Sequence, residues 1–68
     1  MAFMLVFDIP ASLAWLKKRV NRRLRRINAR MLQRSVWLHD SFDELAEIAM
    51  EIKVAGGKAM LLEERFSF

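Results

Sequence analysis

Cysteine is absent from the 68 residues, which excludes disulfide staples, thiolate zinc sites and cysteine nucleophiles. Histidine occurs once, at His39, so no Ser-His-Asp or Cys-His set is evident. The two glycines stand together at 56–57, behind an apolar-periodic segment instead of ahead of one. That order excludes a glycine-rich phosphate loop, which has to open a helix. No apolar run approaches the roughly 18 residues of a membrane span. The opening MAFMLVFDIP lacks the basic leader and small-residue cleavage site of a signal peptide. The expectation is a cytoplasmic protein with no membrane partner.

A further absence is local. Residues 17–34 hold nine of the twelve Lys and Arg residues and no Asp or Glu. Leu13, Leu16, Val20, Leu24 and Ile27 thread this segment at spacings of 3, 4, 4 and 3. At about 100° per residue they fall in one arc, the buried seam of an amphipathic helix. Lys18, Arg19, Arg22, Arg25 and Arg26 are expected on the opposite side, with Arg30 just beyond. Like charges at i,i+4 cost a helix roughly 0.2–0.5 kcal/mol each. An anionic partner relieves that repulsion, and nucleic acid is the leading candidate. Phosphate contact, poor in sequence information and sensitive to salt, is the expected mode. The rest of the chain balances this charge: residues 35–68 hold three bases and seven acids against nine bases and one acid before them.

A chain of this length makes one small domain, over residues 1–68, that buries only about 60% of its unfolded surface. Yet 54% of its residues are apolar. Sharing a second core in a homodimer reconciles the two. The first element supports this. Residues 2–7 read as a strand in which Phe3, Leu5 and Phe7 point one way and Ala2, Met4 and Val6 the other. Both sets are apolar, whereas a sheet with one wet face alternates. Asp8 shares the side of Met4 and Val6 by parity.

Pro10 ends this strand, and Ser12 is a candidate N-cap for the basic helix. The helix is expected to stop at Ile27 or Asn28, since Asn tolerates left-handed backbone. Residues 31–38 read as strand. Ser41 and Glu44 form a capping box opening a second helix with Leu45, Ile48, Ala49 and Ile52 on its apolar face. Gly56-Gly57 ends it, and residues 58–68 read as a last strand around Met60, Leu61 and Leu62. The order is β-α-β-α-β if residues 29–40 form one strand. If they form a hairpin, it is β-α-β-β-α-β: an α+β, ferredoxin-like antiparallel sheet with two helices on one face.

FDIP closing the first strand, a basic helix, and LQRSVW after it resemble the smaller of the two universal CRISPR adaptation proteins, a family described as metal-dependent endonucleases. The chain is similar also to the C-terminal domain of phenylacetic-acid catabolon repressors, which shares that fold. The likeness covers residues 3–40 in motifs and the remainder in element order. It implies a ferredoxin-like homodimer in which Asp8 of each subunit lies near the two-fold axis as catalytic and metal-binding carboxylate. Gln33, Ser35, Val36 and Trp37 match the family's Q-x-S-V-F, with Trp in place of Phe. The resemblance also implies that the first helix lies along duplex nucleic acid and that the dimer docks on the CRISPR integrase. Asn28 stands near the family's Gly before the second strand, and a full fifth strand is not expected before Phe68.

Two carboxylates facing across an axis would repel unless a divalent cation, Mg²⁺ by its taste for few carboxylates and several waters, lay between them. Asp8 has a plainer role as cap of the strand-to-helix turn. Trp15 is expected against a loop or over Arg19, its i+4 neighbour. Trp37 is expected in the core or interface, His39 in a surface turn, and the five methionines as packing material. Three functions follow: an adaptation-type nuclease, a non-catalytic nucleic-acid-binding or regulatory dimer of the same fold, or an interaction protein docking its basic helix on an acidic partner.

Overall fold

A computed structural model describes residues 2–63. The chain runs β1 (Phe3–Asp8), α1 (Ala14–Arg26), β2 (Arg30–Gln33), β3 (Val36–His39), α2 (Phe42–Ala55) and β4 (Lys58–Glu63). The strands form one antiparallel sheet in the order β2-β3-β1-β4. This is the ferredoxin-like β-α-β-β-α-β arrangement. The middle segment is therefore a hairpin and not one strand over 31–38. Arg34 and Ser35 make its turn, and Ser35 takes a left-handed φ of 64°. That turn contains no glycine, which is why a continuous strand remained open. The Ser35 carbonyl accepts a hydrogen bond from the Phe7 N–H at 3.1 Å, tying the turn to β1.

β1 lies at the centre, paired with both β3 and β4, and its two faces meet different surroundings. Leu5 and Phe7 are buried with Trp37 beneath the helices. Leu16, Val20 and Leu24 of α1 and Leu45, Ile48, Ala49 and Ile52 of α2 complete that core, as their spacing predicts. Each such large side chain contributes roughly 1.5–3 kcal/mol when fully buried. Trp37 is only 3% exposed, and its indole N–H has no hydrogen-bond partner. That omission costs about 1–3 kcal/mol, which the burial of the ring offsets.

The helix ends follow local chemistry, with two departures. Ser41 Oγ accepts from the Glu44 N–H at 3.3 Å, so half of the capping box forms. The other half does not: the Glu44 carboxylate bonds His39 Nε2 at 2.6 Å. Ser12 does not cap α1, because it lies inside a short 3₁₀ turn, Ala11–Leu13, and Leu13 takes the cap position without a side-chain bond. Both helices stop in the same manner. Asn28, at φ 63°, and Ala29 donate to the carbonyls of Arg25 and Leu24. Gly56, at φ 108°, and Gly57 donate to those of Lys53 and Ile52. This paired closure satisfies two end carbonyls in each helix.

β4 is described to Glu63, so the expected continuation over 64–68 lies outside the described residues, as does Met1. The other methionines depart from the expected packing role. Met31, Met50 and Met60 are exposed and Met4 is half-buried. Trp15 is also exposed, at 57%, because it lies off the buried seam of α1. No helix among the described residues is long and apolar enough to cross a membrane.

Gly57 lets β4 approach β1. A Cβ there would meet Ile52 Cγ2 at 2.7 Å and the Asp8 carbonyl oxygen at 3.1 Å, whereas at Gly56 the nearest atom is 3.8 Å away. Gly57→Ala should therefore cost about 1–3 kcal/mol through overpacking, and Gly56→Ala about 1–2 kcal/mol through backbone strain alone. Urea denaturation of the two variants checks both losses; a Gly57→Ala variant as stable as the wild type would show that the contact at Gly57 is relieved without cost.

Candidate nucleic-acid interface

The expected basic stripe of α1 divides along its length into two flanks. On one flank α1 meets α2. Arg19 Nε lies 2.5 Å from Glu51 Oε1, and Arg23 binds the other Glu51 oxygen. Arg23 also reaches Glu47 at 3.9 Å. The Glu51 side chain is only 22% exposed, so this carboxylate works at the edge of the helix contact rather than in open water. Arg19, expected to face nucleic acid, is thus engaged within the chain. Its cause is helical geometry: Arg19 and Arg23 are one turn apart and sit about 60–100° from the Val20 seam, toward α2.

The other flank has no such neighbour. Lys18, Asn21, Arg22 and Arg25 line one shallow depression, with no acid among them. Lys17, Asn21, Arg25, Met31, Arg34 and Ser35 line a second, between α1 and the β2–β3 turn, again without an acid. Lys18, Arg22 and Arg25 are exposed on this flank; Arg26 is exposed about 20° from Arg19 on the helix wheel, and Arg30 is exposed on the helix-free side of β2, where it pairs with Leu38; among the described residues no ion pair takes any of the five. Lys17 and Arg34 join this surface although the sequence singled out neither. Their acid-free segment was the available signal; the approach of the hairpin turn to α1 was not readable from it.

Gln33, Ser35 and Trp37 do not converge. Gln33 pairs with Val36 at the outer edge of the helix-free face, Ser35 lies in the turn, and Trp37 is in the core on the opposite face. His39 ends β3, half-buried and bonded to Glu44, and so is not a free turn residue.

Asp8 ends β1, exposed, on the side of Met4 and Val6 as parity requires. Its cross-strand partner is Lys58. No group of three or more His, Cys, Asp or Glu side chains suited to a metal gathers among the described residues. One carboxylate opposite an ammonium group is a poor donor set for a hard cation. Among the described residues, Asp8 thus has no second carboxylate beside it with which to hold Mg²⁺.

The helix-free face is the remaining surface of note. Leu38, Met4 and Leu62 form one row across β3, β1 and β4; Val36, Val6 and Met60 form the next. Arg30 and Gln33 border the patch on β2, and Asp8 and Lys58 border it at one end. Met60 is 57% and Leu62 44% exposed. Leu38 is buried and Met4, Val6 and Val36 are half-buried, so Met60 and Leu62 are the open part of this apolar face.

Glu51→Gln should remove the two ion pairs that Glu51 makes with α1 and lower stability by about 1 kcal/mol, about 4–8 °C in melting temperature for a domain of this size. Thermal melting monitored by circular dichroism checks it; an unchanged melting temperature would mean that the pairs contribute nothing net.

Comparison with family models, with curated proteins and with solved structures finds no match to this chain, so its functional reading rests on the fold and the side chains just described.

Proposed function

We propose that this protein is a homodimeric nucleic-acid-binding module of the cytoplasm, gripping the phosphate backbone through α1 and reading no base sequence. The observation that carries this reading is the acid-free flank of α1. Lys18, Arg22 and Arg25 stand exposed there while the acids of α2 engage only Arg19 and Arg23. A flank kept positive while its neighbour is neutralised exceeds what solubility needs and favours a polyanion. The resemblance to CRISPR adaptation proteins and to repressor domains points to the same partner, and the ferredoxin-like arrangement agrees with it. Docking on a CRISPR integrase remains a corollary of that resemblance.

The second copy covers the helix-free face. Its six apolar side chains lie in two rows without a charge between them, so the surface that matches them best is their own, related by a two-fold axis. Asp8, at the margin of that patch, is where a second chain would bring a second carboxylate. This favours a second reading, a Mg²⁺-dependent endonuclease, in which two Asp8 residues together hold the cation that one alone does not. In that case Asp8→Asn abolishes divalent-dependent cleavage while duplex binding persists. Wild-type protein that binds but never cleaves decides for the non-catalytic module.

Met60→Glu combined with Leu62→Glu should convert a two-chain species into one chain with an unchanged circular dichroism spectrum, because both side chains are already exposed within the chain. Sedimentation equilibrium checks this, and wild-type protein that sediments as one chain overturns the dimer. For binding, Lys18→Ala, Arg22→Ala and Arg26→Ala together should flatten the plot of log affinity against log salt by about 0.9 for each phosphate no longer neutralised. A wild-type affinity for duplex DNA that does not vary with salt would overturn the backbone-binding reading.

A further inference from the structure

We propose that the groove between α1 and the β2–β3 turn is the cleft that holds the phosphodiester backbone, and that Lys17, Arg25 and Arg34 are its principal charges. This rests on the nucleic-acid reading above and adds to Arg25 of the helix stripe two residues, Lys17 and Arg34, that the stripe alone does not indicate. The groove encloses about 350 Å³ and is lined by Lys17, Asn21, Arg25, Met31, Arg34 and Ser35. Its charge comes from two separate elements: Lys17 and Arg25 from the helix, Arg34 from the turn. A solvated helix face needs no second element. A cleft that surrounds an anion does, since donors must converge from both walls.

The arrangement along α1 fits an extended strand better than a single small anion. Lys17, Asn21 and Arg25 follow one another at i, i+4 and i+8, forming one ridge. Lys17 and Arg25 are thus about 12 Å apart along the helix axis, the rise of about three to four nucleotides of one duplex strand. Asn21 between them is neutral, so the ridge escapes the i,i+4 repulsion that a third cation would add, while its amide still donates to a phosphate oxygen. Arg25 also borders the depression shared with Lys18 and Arg22, so the track continues from the groove over the helix. Arg25 and Arg34 carry planar guanidinium forks, which match phosphate oxygens in pairs.

The turn is built to hold its wall in place. Ser35 accepts the left-handed backbone at φ 64°, and its carbonyl is fixed by the Phe7 N–H. The opposite flank offers the contrast within the same helix: Arg19 and Arg23 are satisfied by Glu51 and Glu47. The structure thus assigns the cations of α1 to two duties, helix-to-helix attachment on one side and phosphate capture on the other.

The test measures binding of a fluorescein-labelled DNA duplex by anisotropy across a salt series. It compares wild type, Arg25→Gln with Arg34→Gln, Lys17→Gln, and Arg19→Gln as the control. The paired variant should lose at least tenfold in affinity at low salt and flatten the salt slope by about 1.8, two phosphates at roughly 0.9 each. Lys17→Gln should flatten it by about half as much, and Arg19→Gln should leave it unchanged. In parallel, the Asn21 side-chain amide and the Ser35 backbone amide should shift in NMR spectra on addition of duplex. If wild type binds with a steep slope but the paired variant keeps that slope and neither amide shifts, the groove is not the site, and only this inference fails. If wild type does not bind duplex at all, the reading beneath it fails as well. If polyglutamate displaces the duplex at equal charge concentration, the groove serves an acidic protein instead, and the phosphodiester assignment is overturned.

Discussion

The structure depends on β1 being apolar on both sides while occupying the middle of the sheet. A central strand is paired along both edges, so its backbone hydrogen bonds are satisfied by β3 and β4 and its side chains alone decide what else must be covered. Leu5 and Phe7 draw α1 and α2 onto one face and fix the core. Met4 and Val6, on the other face, align with Leu38, Val36, Leu62 and Met60 and leave an apolar surface that two helices cannot reach. The core and the apolar helix-free face are thus two consequences of one six-residue strand.

Packing the helices side by side on one face also sorts the charge. α1 carries a surplus of cations and α2 a surplus of acids, and their shared edge is where opposite charges meet. Glu51 is placed there by the same helical period that buries Ile48 and Ile52, so ion pairing comes with core formation at no further ordering of the backbone. The cations on the far side of α1 face the hairpin, whose turn contributes Arg34 and no acid. The fold thereby converts a segment that is merely basic into a neutralised side and an open side. A polyanion can use only the latter.

Strain and close approach gather where the strands turn. Ser35 stands in left-handed backbone in the hairpin, and Gly57 admits the Asp8 carbonyl where β4 begins. Both positions border surfaces proposed to meet a partner, the groove in one case and the margin of the helix-free sheet in the other. Asp8 stands at that margin too, with Lys58 as its neighbour across the ladder.

By itself the sequence determined the helices, their buried seams and their stops. Periodicity near 3.6 and residues that accept left-handed backbone, Asn28 and Gly56, act through local chemistry and need no distant partner. It also determined that β1 has two apolar faces, because side chains alternate along any strand. Only the tertiary structure decided that residues 31–38 fold back as a hairpin, since the turn at Arg34-Ser35 is held by a bond to Phe7, far away in the chain. Only the tertiary structure separated Arg19 from Arg25. On a helix wheel both are cations off the seam, and what distinguishes them is which neighbour each flank meets, Glu51 of α2 or the turn between β2 and β3. The scattering of Gln33, Ser35 and Trp37 over the sheet edge, the turn and the core has the same origin. Residues close in sequence are parted by the pleat and by the turn, and no local rule specifies how the chain is folded back around them.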